Sequence, residues 1–178
     1  MRLDFRIPVE KSREVTLRDL PRLIAESWRI KFAMMKPFPG RWPSASSISH
    51  SQVCGVDPLR FFVVGNSWHV FDGSPMRLKR FFGFPWARTI WNPVIVGHGN
   101  EVMRTKEACM SFPGGKPLPT KRWAKVELEF STFFGRRRKT LYLYRAQLVQ
   151  HEIDHMDGFN YEQAWKHERP QFPSYERA

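Results

Sequence analysis

Two histidines four residues apart, with an acidic residue directly after the first, constrain this chain more than any other feature it carries. The pentapeptide His151-Glu152-Ile153-Asp154-His155 points to a helix, because residues four apart share a helical face. Both imidazoles then reach one ion while Glu152 projects beside it. The flanking residues agree. From Tyr144 to Asp157, Leu148, His151 and His155 fall on one stripe with Val149, Ile153 and Met156 beside it, and Gly158 is placed to close the C-terminal end. A catalytic metal site takes three protein ligands and keeps one position open for water. The ion lowers the pKa of that water, and an adjacent carboxylate takes its proton. Glu152 stands where such a carboxylate belongs; the third ligand must come from elsewhere in the chain.

The bulk properties leave room for such a site. At 178 residues, with 42% hydrophobic and 15% aromatic side chains, the chain has the length and composition of a single domain with a core of its own. No stretch reaches the roughly 18 apolar residues of a membrane-spanning helix. Met1 to Arg6 lacks the apolar run of a signal peptide, so a cytoplasmic protein with no membrane partner is expected. Cys54 and Cys109 are too few for a disulfide framework, and in a reducing compartment a metal or catalytic role for a cysteine outweighs a bridge. The net charge of +12 favours an anionic partner, such as nucleic acid, a ribosome surface or anionic lipid.

Along the chain, residues 17 to 35 carry Leu20, Leu23, Ile24, Ile30, Met34 and Met35 at mostly helical spacing. Thr16 or Asp19 is the expected cap, Pro21 falls in the first turn, and Pro37 and Pro39 end the helix. Phe61 to Val64 is apolar throughout and reads as a buried strand. Residues 65 to 89 read as an irregular excursion with one hairpin. Ile90 to Val96 reads as a strand that must place Pro93 at an edge or bulge. Val126 to Phe130 alternates and should be half-buried, Gly135 to Lys139 forms a basic hairpin turn, and Thr140 to Leu143 returns as a strand. Strands followed by a chemistry-bearing helix make an α+β fold. The expected organisation is one domain over residues 1–178, with a core at about 17–160 and a polar tail at 161–178.

Beyond the pentapeptide, Gly158 continues the metzincin spacing, but Tyr161 stands where the third histidine of that family would be; Glu162, His167 and Glu176 are other downstream candidates. The upstream segment decides between frames. Glu107-Ala108-Cys109-Met110-Ser111, followed by Phe112-Pro113-Gly114 and, further on, by HEIDH, resembles peptide deformylase, whose motifs Glu-Gly-Cys-Leu-Ser and His-Glu-x-x-His come in this order at about this distance. Ala45 to Gln52, ahead of the Phe61 to Val64 strand, resembles that family's Gly-x-Gly-x-Ala-Ala-x-Gln, and Asn92-Pro93 resembles the opening of a family strand. The resemblance runs from about residue 17 to about residue 160. It implies antiparallel sheets around a central helix that carries HExxH, in a divergent, phage-type member. Cys109, His151 and His155 would hold one divalent ion, with Fe(II) expected in the cell and Zn(II), Ni(II) or Co(II) accepted. Glu152 would be the general base. Gln52, through its side-chain amide, and Met110, through its backbone N–H, would stabilise the oxyanion.

The same resemblance places Ser46, Ser47, Ala108, Met110 and Leu148 along an N-formylated peptide bound in extended form. Where the family has glycines this chain has Ala45, Ser47 and Ala108, and Gln147 makes the lining before the first metal histidine more polar. Glu107 is expected to pair with Lys121 or Arg122, His50 to make a local hydrogen bond, and Cys54 to fill the core. The implied reaction is removal of the N-formyl group from formyl-methionyl nascent peptides with release of formate. Another metal-dependent deacylase or metallopeptidase on the same frame is the alternative, and an inactive RNA- or ribosome-binding protein is the third reading. The basic clusters at Arg77 to Arg80, Lys121-Arg122 and Arg136 to Lys139 would meet ribosomal RNA, with Phe81, Phe82, Phe84 and Trp86 as candidate stacking partners. A monomer is expected.

Overall fold

The computed structural model describes residue 4 and residues 8–35, 47–65, 88–109, 111 and 117–159. Expectations at Pro37, Pro39, Ala45, Ser46, Arg77 to Trp86, Met110, Tyr161, Glu162, His167 and Glu176 lie outside these residues.

A short 3-10 turn at Leu17–Asp19 leads directly into helix α1, Leu20–Met35. Both proposed caps act together: the Thr16 N–H and hydroxyl donate to Asp19 Oδ2 at 2.9 and 2.7 Å, and Pro21 falls in the first helical turn, where its missing N–H has no partner to lose. The buried stripe of α1 is Leu23, Ser27, Ile30 and Met34, the spacing of one helical face. Ile24, expected on that face, is 45% exposed; it lies one residue round from Leu23.

Strands β1 (Ser47–Ser49), β2 (Phe61–Val64), β3 (Arg88–His98), β6 (Lys125–Thr132) and β7 (Gly135–Tyr142) form a five-stranded antiparallel sheet in the order β1-β2-β3-β6-β7. Strands β4 (Val102–Glu107) and β5 (Leu118–Trp123) form a separate antiparallel pair. Helix α2, Leu143–Met156, follows β7. The expected α+β class with antiparallel sheets holds, and the helix bearing HEIDH is the last described element.

The unbroken apolar run of β2 has a simple cause: both of its faces are covered. Phe61 and Val63 pack with Leu23 and Ile30 of α1, whereas Phe62 and Val64 join Val149, Ile153 and Met156 of α2. Pro93 lies on an interior strand and is accommodated by a bulge, with the register shifting between Trp91 and Val94. The carboxamide of Asn92 there exchanges two 2.8 Å hydrogen bonds with the Val15 backbone. The basic run does not form a turn. Phe133 and Phe134 make the turn, and Arg136 to Lys139 lie on β7, paired residue for residue with Ser131 to Leu128. Leu143 starts α2 and is not the end of the strand. Strands β4 and β5 are unanticipated; their ladder joins residues such as Arg104 with Lys121 and Lys106 with Pro119.

Helix α2 ends as its glycine implies. Gly158 has φ +84, its N–H donates to His155 O at 3.2 Å, and the Phe159 N–H donates to Asp154 O at 2.8 Å, the paired bonds of a Schellman turn. A Cβ at Gly158 would also meet the Glu10 backbone at 3.2 Å.

Truncating Phe62, fully buried between sheet and α2, is expected to cost about 3–5 kcal/mol in urea denaturation. Phe134→Ala, at a side chain 90% exposed, should stay within about 0.5 kcal/mol. Equal costs at the two positions would contradict this packing.

Candidate metal centre

The helical spacing of His151 and His155 sets their rings edge to face, with Nε2 atoms 3.1 Å apart. Cys109 Sγ, arriving two residues after β4, lies 3.2 Å from His155 Nε2. Among the described residues, Cys109, His151 and His155 bring one donor atom each within 4.8 Å of one another. The outer nitrogen of each ring is engaged. His151 Nδ1 is 2.9 Å from Glu107 Oε2, and His155 Nδ1 is 3.2 Å from the Phe159 carbonyl, which the Schellman turn places there. A carbonyl only accepts, so His155 Nδ1 carries its hydrogen and turns the Nε2 lone pair inward.

This donor set fits a divalent cation. Two imidazole nitrogens and a sulfur facing one another at 3.1–3.2 Å repel unless a proton or cation lies among them. A tetrahedral ion with bonds of about 2.0–2.3 Å separates its donors by roughly 3.3–3.6 Å. Burial alone would push the Cys109 thiol up, but the charge of His155 and hydrogen bonds with His151 and His155 outweigh it and bring the thiol to about 5. That lowering favours the thiolate, the form that binds metal. Burial would lower His151, yet its bonds to Cys109 and Glu107 hold it well above the ordinary histidine range.

Behind the donors lies a buried ion cluster. The Arg122 guanidinium, 1% exposed, donates through Nε and Nη2 to the two oxygens of Glu107 at 2.8 and 2.7 Å, and through Nη1 to Asp154 Oδ2 at 2.5 Å. Burial opposes ionisation of Glu107, but Arg122 and His151 hold its carboxyl well below the usual carboxylate range. The expected pairing of Glu107 resolves to Arg122. Consequently Arg122 forms no part of a basic surface, whereas Lys121 is exposed. Asp154 went unassigned in the motif reading, although its place three residues after His151 was a usable signal.

Glu152 is buried, and burial raises its carboxyl above the ordinary range, with the charges of His151 and His155 pulling the other way. Ser47 Oγ donates to Glu152 Oε1 at 2.5 Å, while Oε2 has no hydrogen-bond partner among the described residues. Gln52, in the short 3-10 turn after β1, accepts from the Ser49 N–H at 2.9 Å. Its Nε2 lies 3.0 Å from Ser111 Oγ and 3.4 Å from Cys109 Sγ.

These groups line a cleft of about 220 Å³ that includes Ser47, Gln52, Ala108, Cys109, Leu148, His151 and Glu152, with Lys106, Tyr144 and Gln147 at its walls. His155 closes the metal donor set from beneath, fully buried. Of the other residues just before His151, Ala146 and Val149 belong to the core. Gln150 is buried and joins α2 to β5 through bonds to the Trp123 N–H and C=O. His50 makes the local bond expected of it, accepting the Leu59 N–H at 2.9 Å. Cys54 is partly exposed and does not fill the core.

The arrangement is a candidate metal centre with an acid/base carboxylate beside it, on an α+β frame. A family model described as polypeptide deformylase matches residues 50–171, and the chain belongs to that family. A curated relative, peptide deformylase 2 of Nostoc sp., is 41% identical over 68 residues; the match spans 38% of this chain and only 37% of the relative's length. Among solved structures, peptide deformylase from Thermotoga maritima superposes with a TM-score of 0.66 at 23% identity, covering 90% of this chain and 97% of that one. A probable peptide deformylase from synechococcus phage S-SSM7 gives 0.67 at 21% identity, covering 91% and 99%. At these identities the structural likeness is one of fold.

Arg122→Met strands two buried carboxylates. It is expected to cost about 3–5 kcal/mol in urea denaturation and to weaken metal binding roughly 10–100-fold in a chelator-competition titration, since His151 loses the group that steadies Glu107. Unchanged metal affinity in a folded variant would show that the cluster does not orient the site.

Proposed function

We propose that this chain is a metal-dependent hydrolase that removes the formyl group from formyl-methionyl peptides and releases formate. The observation that carries the reading is the convergence of Cys109, His151 and His155 beside the unpartnered Oε2 of Glu152, in a chain of the deformylase family. One divalent ion held by the three donors, Fe(II) in the cell or Zn(II), Ni(II) or Co(II) in its place, would supply a Lewis acid that lowers the pKa of water and polarises a carbonyl.

The protein's own groups do the rest. Glu152 takes the proton of the attacking water as the new C–O bond forms at the formyl carbon, then returns it to the nitrogen as the C–N bond breaks. The Gln52 amide, beside Cys109, and the backbone N–H of Met110 carry the negative charge on the formyl oxygen. The peptide lies extended between the edge strand β1 and the segment after β4, with Ser46, Ser47 and Ala108 offering backbone groups and Leu148 facing its first side chain. The reading entails a monomeric, single-domain cytoplasmic enzyme, with α2 as the central element of its frame.

Formate release from formyl-Met-Ala-Ser by anaerobically prepared Fe(II) or Ni(II) protein tests it. Glu152→Ala should lower turnover roughly 10²–10⁴-fold while still binding one ion. Wild-type turnover that survives this change would contradict the mechanism. Cleavage of internal peptide bonds or of other acyl groups, with no formate, would move the assignment to another metal-dependent deacylase or metallopeptidase.

A second reading concerns the partner. Arg136 to Lys139 are exposed along β7, with Phe133 and Phe134 exposed at the adjoining turn, a surface suited to ribosomal RNA through phosphate contacts and stacking. Salt-sensitive co-sedimentation with ribosomes, weakened by Arg137→Glu with formate release unchanged, is the expected result. Binding indifferent to that change would remove β7 from the interface, and RNA binding by a protein that hydrolyses no acyl peptide would favour the inactive RNA-binding alternative.

A further inference from the structure

We infer that Ser47 is a positioning residue: its hydroxyl holds Oε1 of Glu152 and so commits Oε2 to the proton transfer, a role that rests on the hydrolytic reading above.

Side chains alternate across a strand, and Ile48 points into the core shared with α1. Ser47 and Ser49 therefore share the opposite face of β1, the one that carries the Ser47 contact to α2. Their neighbours hold this short strand on both sides. Its register against β2 pairs Ser47 with Val64 and Ser49 with Phe62, both buried. Beyond it, Gln52 Oε1 accepts the Ser49 N–H, and the Ser49 and Ser51 hydroxyls lie 2.8 Å apart. Ser47 is thus carried on fixed backbone, half-buried at the cleft wall.

From that place its hydroxyl reaches Glu152 Oε1 at 2.5 Å. Within the carboxylate the two oxygens are then unequal. Oε1 is occupied by a donor, and Oε2 is buried with no partner among the described residues. A carboxylate without such a clamp can rotate about its terminal torsion, which is broad and roughly two-fold, and would present either oxygen. The clamp removes that freedom and aims the open oxygen. The glycine of the motif that this segment resembles has no group to do so.

The test uses metal-loaded protein. Ser47→Ala is expected to lower kcat roughly 10–100-fold, the weight of a hydrogen bond to a charged group, with KM for formyl-Met-Ala-Ser and the metal content unchanged. Ser47→Thr, which restores the hydroxyl, should recover most of the loss. Alongside, a double-mutant cycle in urea denaturation with Ser47→Ala and Glu152→Ala reads the contact without substrate, and the two changes should be non-additive. Additive changes, or a Ser47→Ala enzyme with undiminished kcat, would overturn the inference, as would a loss confined to KM or to metal content. Failure of the hydrolytic reading is seen separately, on the wild-type protein alone, as absence of formate before any Ser47 variant is compared.

Discussion

The Arg122 guanidinium, buried between Glu107 and Asp154, is the interaction on which the site depends. It joins three elements: β4 through Glu107, β5 through its own backbone, and α2 through Asp154. Buried ion pairs do not stabilise a fold cheaply, because desolvation offsets most of the attraction. The cluster's value lies in orientation. One cation faces two carboxylates, and the remaining negative charge on Glu107 is directed at His151 Nδ1. That fixes the ring and turns Nε2 toward Cys109 and His155.

The second histidine is steadied by different means. His155 Nδ1 meets the Phe159 carbonyl, which is where it is because Gly158 adopts a left-handed conformation and closes α2. An ion cluster on one side and a helix cap on the other therefore set the two imidazoles. The thiolate completes the set from the segment after β4, and Ser47 and Gln52, from β1 and the turn beyond it, hold the groups that face the cleft. The site thus draws on α2, on β1 and the turn after it, and on β4 with the segment that follows.

Much of this was legible in the residues because it is written in local spacing. The i, i+4 histidines and Gly158 define α2 and its end. Phe61 to Val64 announces a strand covered on both faces, and Glu107 beside Cys109 calls for a cation that Arg122 supplies. What was not legible depends on contacts distant in sequence. Strands β4 and β5 hide their period because lysine, arginine and threonine occupy half of their positions. Arg136 to Lys139 look like a turn by charge, yet the tighter Phe133-Phe134 turn leaves them on β7. Gln150 looks like cleft lining from its place before His151, but it faces the Trp123 backbone. Ser47 was readable as a lost glycine; that its hydroxyl finds Glu152 follows from the packing of β1 against α2.

Arg122 organises the frame in which Cys109, His151 and His155 are proposed to bind one ion. X-ray absorption spectroscopy on protein loaded with one equivalent of Zn(II) tests it most directly. The predicted spectrum has one sulfur at about 2.3 Å and two imidazole nitrogens at about 2.0–2.1 Å, with the sulfur shell lost in Cys109→Ser. A first shell of nitrogen and oxygen alone in the wild-type protein, or a sulfur shell that survives Cys109→Ser, would contradict it.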